Sequence, residues 1–509
     1  MGERRSKPNI IEAMDSPELF RPLFKDMSTW KAWRTVLKAL YGLEFEKDEQ
    51  ELFTEHTERK TIPEGGFKEV YCIVGARGGK SYMSALIACY TALFGDFSEH
   101  LAKGERAWIF TIATDKDQAR IVLDYIKGIL SLFPDMIEKD LMWQIELKNR
   151  INISVKTCNY RAGRGFSTAC IILDELAFYR DERSANPAEE LLISLLPRLL
   201  PNGLLIGIST PYGKFGYLYE VYKAHYGDDT SDVLVWKAPT VIMNPKHSQT
   251  WIDRLLKRDK VKMRAEYEAV FREDVETYLS EEEIDAITTK GIKSYLPMVG
   301  KRYFAFCDMS GGRKDYFALS IGHNEGDKVI IDRIELRKPQ DPATVCDDFT
   351  IILKHYGLSR LTGDRYAGEW PRSAFVKRGI SYEISKLDKN DIYINFQPLI
   401  AMRKVQLPES EILKNQLLSL ERKTRQGGKD AIEHPRGLHD DLANAIAGCA
   451  VMLAQGGTIS LTPEYMLARL PAMRGRHYRS LDEEEVEDLR MQQEVIAEAR
   501  RKKLKTEEE

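Results

Sequence analysis

Between about residues 61 and 275 the chain alternates short, almost wholly apolar runs with longer stretches of helix-like periodicity. The apolar runs are VYCIV (70–74), AWIFTIAT (107–114), ACIILDE (169–175) and LLIGIST (204–210). Strands with no polar alternation suit a sheet covered on both faces, and the intervening helical stretches suit crossovers. The region is therefore predicted to be α/β, a parallel sheet wrapped by helices. Residues 1–60 are helix-like, with aromatics at Phe20, Phe24, Trp30 and Trp33, and read as a helical cap packed on that sheet. The stretch LSEEEIDAITTKGIKSYLP, within 276–299, reads as a connector. A second run of strands occupies 300–455, from KRYFAFCDMS to the helix-like DDLANAIAGCAVMLA. From 456 to 509 the chain turns polar and ends as a charged tail, read as a solvated helix or disorder. No internal repeat is visible.

Composition narrows the partners. With 509 residues, 43% hydrophobic and 30% charged, the chain is long enough for two or three domains. A formal net charge of −3 means that any nucleic-acid contact must come from local basic patches. Two such stretches stand out, DRLLKRDKVKMR (253–264) and RKTRQGGK (422–429). Seven cysteines without a CxxC pair argue for a reducing compartment and against structural zinc. The opening MGERRSKPNIIEAMDSPELF has no apolar leader, and no run is long enough to span a bilayer, so a cytosolic protein without membrane contact is expected.

The first chemical signal is GARGGKS (75–81), which follows an apolar strand and opens a helix. Counted back from Lys80, the first glycine of a phosphate-binding loop should fall at Val74, but it sits at Gly75. The loop is one residue short. Gly75, Gly78 and Gly79 still permit a tight turn that directs N–H groups inward, Lys80 can reach the β- and γ-phosphates, and Ser81 can hold Mg²⁺. ACIILDE ends in two carboxylates at a strand's C-terminal edge: Asp174 would hold Mg²⁺ through water and Glu175 would polarise the attacking water. Ser209 and Thr210 end another strand and suit γ-phosphate sensing. ATDKDQAR (113–120) resembles the strand-end motif that helicase-like ATPases carry between their two nucleotide motifs. Arg77, Arg161 and Arg164 lie near enough for a guanidinium to stabilise transition-state charge, and spacing leaves open which one acts. The region reads as an ATPase.

The second signal is a set of aspartates. Asp308 ends one strand, Asp364 another, and Asp440 and Asp441 begin a helix. In β-β-β-α-β-α order these positions suit a ribonuclease H-like metal site, in which Mg²⁺ or Mn²⁺ on hard oxygen ligands supports phosphodiester cleavage. Asp315 reads as outer support or a turn residue, and His434 and His439 as hydrogen-bonding neighbours.

In their order, GARGGKS, CIILDE, GISTP, CDMSGG, TGDRYAG and HDDLANA resemble the large subunit of tailed-bacteriophage terminases, over about residues 20–455. The resemblance implies a P-loop NTPase of the helicase-like class followed by a ribonuclease H-like nuclease. It implies ATP-driven translocation of double-stranded DNA into a procapsid through a portal, and cleavage of concatemeric DNA. Shortened phosphate loops occur in that family. Lys80 and Ser81 carry over as phosphate and Mg²⁺ residues, Asp174 and Glu175 as the acidic strand end, and Thr210 as the coupling position. Arg164 matches the region that supplies an arginine finger to a neighbour in a ring. Asp308, Asp364 and Asp441 match the nuclease triad, with Asp440 competing for the third place. A small terminase subunit, the portal and a homo-oligomeric ring are the implied partners, and the host cytoplasm, outside the mature virion, the implied location. Rival readings are an ATP-dependent motor or remodeller with an inactive second domain, a scaffold with vestigial sites, and an integrase-like recombinase.

Overall fold

The computed structural model describes residues 7–158, 165–180, 184, 186–309, 316–338, 341–365, 370–424, 430–435 and 437–456. Arg161, Arg164, Asp315, the whole RQGGK turn (425–429) and the tail from 457 lie outside the described residues.

The first sheet has eight strands: β1 (Glu69–Val74), β2 (Ala107–Ala113), β3 (Ile137–Asp140), β4 (Gln144–Leu147), β5 (Ile151–Thr157), β6 (Thr168–Asp174), β7 (Leu199–Ser209) and β8 (Val233–Ala238). Their spatial order is β3-β4-β5-β2-β6-β7-β1-β8. From β5 to β8 every pairing is parallel. β7 thus separates β1, which feeds the glycine loop, from β6, which ends in Asp174. The sheet departs from a purely parallel one at its far end, where β3 and β4 pair antiparallel. These are short strands, and β3 is polar and exposed after its first residue, as suits an edge.

β6 is buried at every position, which explains why its sequence shows no alternation. The helix Lys80–Phe94 lies between this sheet and the N-terminal segment, and most of its residues are buried. Phe20, Phe24, Trp33, Val36, Leu37 and Phe53 share one hydrophobic core with this helix and strands β1 and β2. The N-terminal helices are thus part of the first core.

The second sheet is built from β10 (Thr288–Thr289), β11 (Tyr303–Met309), β12 (Phe317–Glu325), β13 (Lys328–Arg337), β14 (Arg360–Gly363), β15 (Ser381–Ile384) and β16 (Val405–Pro408). Its order is β10-β16-β13-β12-β11-β14-β15. β11, β12 and β13 form an antiparallel meander, and β14 and β15 continue parallel to β11. The helix Asp441–Gly456 lies across β11, β12 and β13, buried along almost its whole length.

A third sheet, in the order β18-β17-β9, joins the two halves. β9 (Val275–Thr277) leaves the first domain and pairs with β17 (Glu421–Thr424), which forms a hairpin with β18 (Asp430–Glu433). The segment read as a connector is folded rather than free. Tyr278, Leu279, Ile284 and Ile287 are apolar and bury in the core of the second domain, and Thr288–Thr289 adds a strand to its sheet. Among the described residues no helix is long and apolar enough to cross a membrane.

Candidate active sites

At the C-terminal edge of the first sheet, β1 runs into the glycine loop and β6 delivers two carboxylates beside it. Lys80 Nζ lies 3.1 Å from the Val74 carbonyl oxygen and 3.3 Å from Glu175 Oε1. Ser81 Oγ lies 3.3 Å from Asp174 Oδ2, and Gln118 Nε2 donates to that oxygen at 2.8 Å and approaches Ser81 Oγ at 3.3 Å. Burial, then the neighbouring Glu175, pushes the Asp174 carboxyl up to about 6. A carboxylate so disfavoured is relieved by a cation, which suits a residue that would hold Mg²⁺ beside a triphosphate.

Glu175 is in the left-handed region at φ 56, uncommon for a non-glycine residue. Its Oε2 accepts the Thr210 N–H at 3.2 Å, and Ser209 Oγ is 3.2 Å away. Ser209 also accepts the Ala177 N–H. Both residues therefore aim the Glu175 carboxylate, and Ser209 is fully buried behind it. Gly75, Gly78, Gly79, Lys80, Ser81, Asp174, Glu175 and Thr210 are gathered around one site. Arg77 is at its edge, with an exposed side chain and φ 63. Gly79, at φ 87, begins the helix without a side-chain cap, which leaves the N-terminal N–H groups directed at the loop.

The second site forms where β11, β14 and the closing helix meet. Asn444 Nδ2 donates to Asp308 Oδ2 and to Asp364 Oδ2, each at 2.7 Å, and so bridges acids 56 positions apart in the chain. Burial, then Asp441, pushes the Asp308 carboxyl up to about 8, with Asp364 adding to the rise and Lys389 opposing it. Asp441 is pushed up to about 6 by burial and then by Asp440. Its Oδ2 is buried without a hydrogen-bond partner among the described residues. Asp440 is differently committed: Lys389 Nζ donates to its Oδ1 at 2.6 Å and Tyr393 Oη to its Oδ2 at 2.9 Å. Burial would lower the Lys389 ammonium, but Asp440 and Asp308 outweigh it and hold it above its ordinary value. His434 and His439 stand 3.7 Å from Asp440 and Asp441 respectively.

Among the described residues no three carboxylate, imidazole or thiolate groups are drawn into a ready-made metal cage. The chemistry of the cluster nevertheless fits a divalent ion. Asp308, Asp364 and Asp441 are hard oxygen donors, Asp441 and Asp364 both raise the proton affinity of Asp308, and the buried Asp441 Oδ2 accepts no hydrogen bond from the described residues. Asp440 is the less available fourth acid because both its oxygens are already bound.

Several of these residues carry weak sequence signals. Gln118 lies in ATDKDQAR, at the start of a helix capped by Asp115. Asn444 is the one amide in an otherwise apolar helical run, three positions after Asp441. Lys389 and Tyr393 are four apart on one helix, a spacing that puts them on one face, but nothing local points them at Asp440.

The basic stretch 253–264 forms the helices Gln249–Leu256 and Lys260–Glu268, and Arg254, Lys257, Arg258, Lys260, Lys262 and Arg264 line them, most of them exposed. Between the domains, Tyr212 Oη donates to the buried Glu421 Oε2 at 2.6 Å. Arg180 and Arg272 lie over the Tyr212 ring at 5.7 and 5.5 Å.

Among solved structures, the chain is similar to the HK97 bacteriophage large terminase, at 16% identity and a TM-score of 0.36, over 76% of this chain and 91% of that one. It is similar to the large terminase of a thermophilic bacteriophage at 13% identity and a TM-score of 0.34, over 81% and 99%. The large terminase nuclease of the thermophilic phage G20c with bound magnesium matches at 15% identity and 0.31, over 35% and 96%. No curated protein matches the sequence. Residues 60–221 match the family described as the terminase large subunit, ATPase domain, a span that holds the glycine loop, Asp174, Glu175 and Thr210. By that match residues 60–221 are similar to the ATPase domain of terminase large subunits.

Proposed function

We propose that this protein moves double-stranded DNA into a procapsid through a portal, driven by ATP hydrolysis, and cuts concatemeric DNA in a reaction that needs Mg²⁺ or Mn²⁺. The observation that carries this reading is that one chain holds both sites. Lys80 and Ser81 stand against Glu175 and Asp174 in the first domain, and Asn444 ties Asp308 to Asp364 beside Asp441 in the second. In the first site Lys80 and the loop N–H groups would bind the triphosphate, Ser81 and Asp174 would hold Mg²⁺, and Glu175, aimed by Thr210, would orient and deprotonate water. In the second, Asp308, Asp364 and Asp441 would hold the divalent ions, which supply charge stabilisation to phosphodiester cleavage when bound. Asp440 fixes Lys389 and Tyr393 behind them. Exposed cations on the helices between 249 and 268 give sequence-tolerant contacts to DNA phosphates. A ring docked on the portal, a small terminase subunit for site choice, and action in the host cytoplasm complete the reading.

A packaging assay with purified procapsids and labelled DNA tests the whole. Plasmid nicking that Asp364→Ala abolishes and Lys80→Ala retains assigns cleavage to the second domain. One observation favours a second reading, an ATP-driven nucleic-acid motor with a silent second domain: the Asn444 amide sits between two of the acids, and among the described residues no preformed cage is present. Absence of nicking with either ion would decide for it.

A further inference from the structure

Three successive carbonyls of the shortened loop are each held from outside by a different side chain. Thr240 Oγ1 donates to the Ala76 carbonyl at 2.8 Å, Asn244 Nδ2 to that of Arg77 at 2.9 Å, and Trp33 Nε1 to that of Gly78 at 2.7 Å. Thr240 and Trp33 are buried. The donors come from two regions far apart in sequence, the N-terminal helices and the turn after β8.

A trans peptide points its C=O and the following N–H in opposite directions. Pinning the carbonyls of 76, 77 and 78 outward therefore fixes the N–H groups of 77, 78 and 79 toward the opposite side. The Gly78 N–H closes the turn on the Gly75 carbonyl at 3.1 Å. Those of Arg77 and Gly79 are left aimed with the helix N-terminus that begins at Lys80. The arrangement also accounts for the displaced glycine. Gly75 does not need a left-handed backbone, but a Cβ there would lie 2.3 Å from Thr240 Oγ1. The first glycine makes room for the donor.

We propose that Trp33, Thr240 and Asn244 are positioning residues for nucleotide binding. They form a three-point brace that fixes the peptide orientations of a loop one residue shorter than usual. This rests on the reading of the loop as the ATP site. Nucleotide affinity depends on the brace, whereas turnover by Glu175 does not. Losing one hydrogen bond that orders the loop weakens nucleotide binding about three- to tenfold.

The test uses the full chain, with equilibrium binding of a fluorescent ADP analogue and steady-state ATP hydrolysis. Thr240→Val and Asn244→Ala each raise Kd and KM about three- to tenfold, while kcat stays within about a factor of two. Thr240→Ser, which keeps the hydroxyl, restores wild-type affinity, and Trp33→Phe, which removes the N–H donor while keeping an aromatic ring, follows Thr240→Val. The brace is overturned if Thr240→Val binds as wild type, or if Thr240→Ser is impaired as much as Thr240→Val. If the wild type itself binds no nucleotide and Lys80→Ala changes nothing, it is the ATP-site reading that falls, and the brace with it.

Discussion

Replacing Asp308 with asparagine is expected to stabilise the metal-free protein while abolishing cleavage. The Asp308 carboxyl ordinarily titrates near 3.8 and is pushed up to about 8 by burial, Asp441 and Asp364. Below the lower value it is protonated in both the folded and unfolded chain, and the site costs nothing. As pH rises, the unfolded chain releases its proton near the lower value while the folded chain keeps it until about 8, so stability is lost across that window. At about 1.4 kcal/mol per decade of proton activity, the ionised Asp308 carboxylate is disfavoured by roughly 6 kcal/mol as an upper bound. The buried amide that replaces it keeps part of the desolvation cost, so the substitution recovers about 2–3 kcal/mol. For a domain of this size, that raises the melting temperature of the second-domain transition by about 4–10 °C at pH 8. The assay is thermal unfolding from pH 5 to 9 in chelator, followed by addition of Mg²⁺. Wild type should lose stability as pH rises and regain it with Mg²⁺, whereas Asp308→Asn should show a flatter profile and a smaller response to the ion. A wild-type profile flat between pH 5 and 9, or a variant less stable than wild type at pH 8, would refute the reasoning.

Glu175→Gln should retain nucleotide binding but lower phosphate release by at least about 10²-fold, as the proposed role of the aimed carboxylate in taking the water proton requires. Asp440→Ala should cost about 2–3 kcal/mol in denaturant unfolding, since it leaves the half-buried Lys389 ammonium and the buried Tyr393 hydroxyl without their acceptor; Asp441→Ala should leave stability nearly intact yet end metal-dependent nicking. Tyr212→Phe removes the hydroxyl bonded to Glu421 and should weaken the domain junction by about 1 kcal/mol, seen in calorimetry as better separated transitions. The double charge reversal Lys257→Glu with Arg258→Glu should weaken binding to duplexes of any sequence and flatten the slope of log affinity against log salt by about 2.

What could be read in advance follows from the range of the forces. β1, β2, β6 and β7 are buried on both faces, so each announces itself within seven or so residues. The loop, Asp174 and Glu175 sit directly at strand ends, where sequence position and spatial position coincide. The parts that stayed hidden depend on distant pairing. β9 is three residues long and becomes a strand only because β17, more than 140 positions later, lies beside it. The edge strand β3 is polar and its neighbour β4 only four residues long, too little for a strong strand pattern. Asp440 and Asp441 are adjacent and chemically identical, and only the Lys389 and Tyr393 contacts separate an anchored acid from an open one. Trp33 looked like ordinary core, and its ring is core; the indole N–H has its own partner in Gly78.

The small sheet that zips β9 to the β17–β18 hairpin bears on how the protein can be dissected. A second-domain fragment begun near residue 300 would lose β9 and β10 and leave Tyr278, Leu279, Ile284 and Ile287 behind. Its hairpin edge would then be bare and its core short of four side chains. Cutting just before Val275 keeps that packing whole, so the practical seam for expressing the second half alone lies 28 residues upstream of the first strand of its central meander.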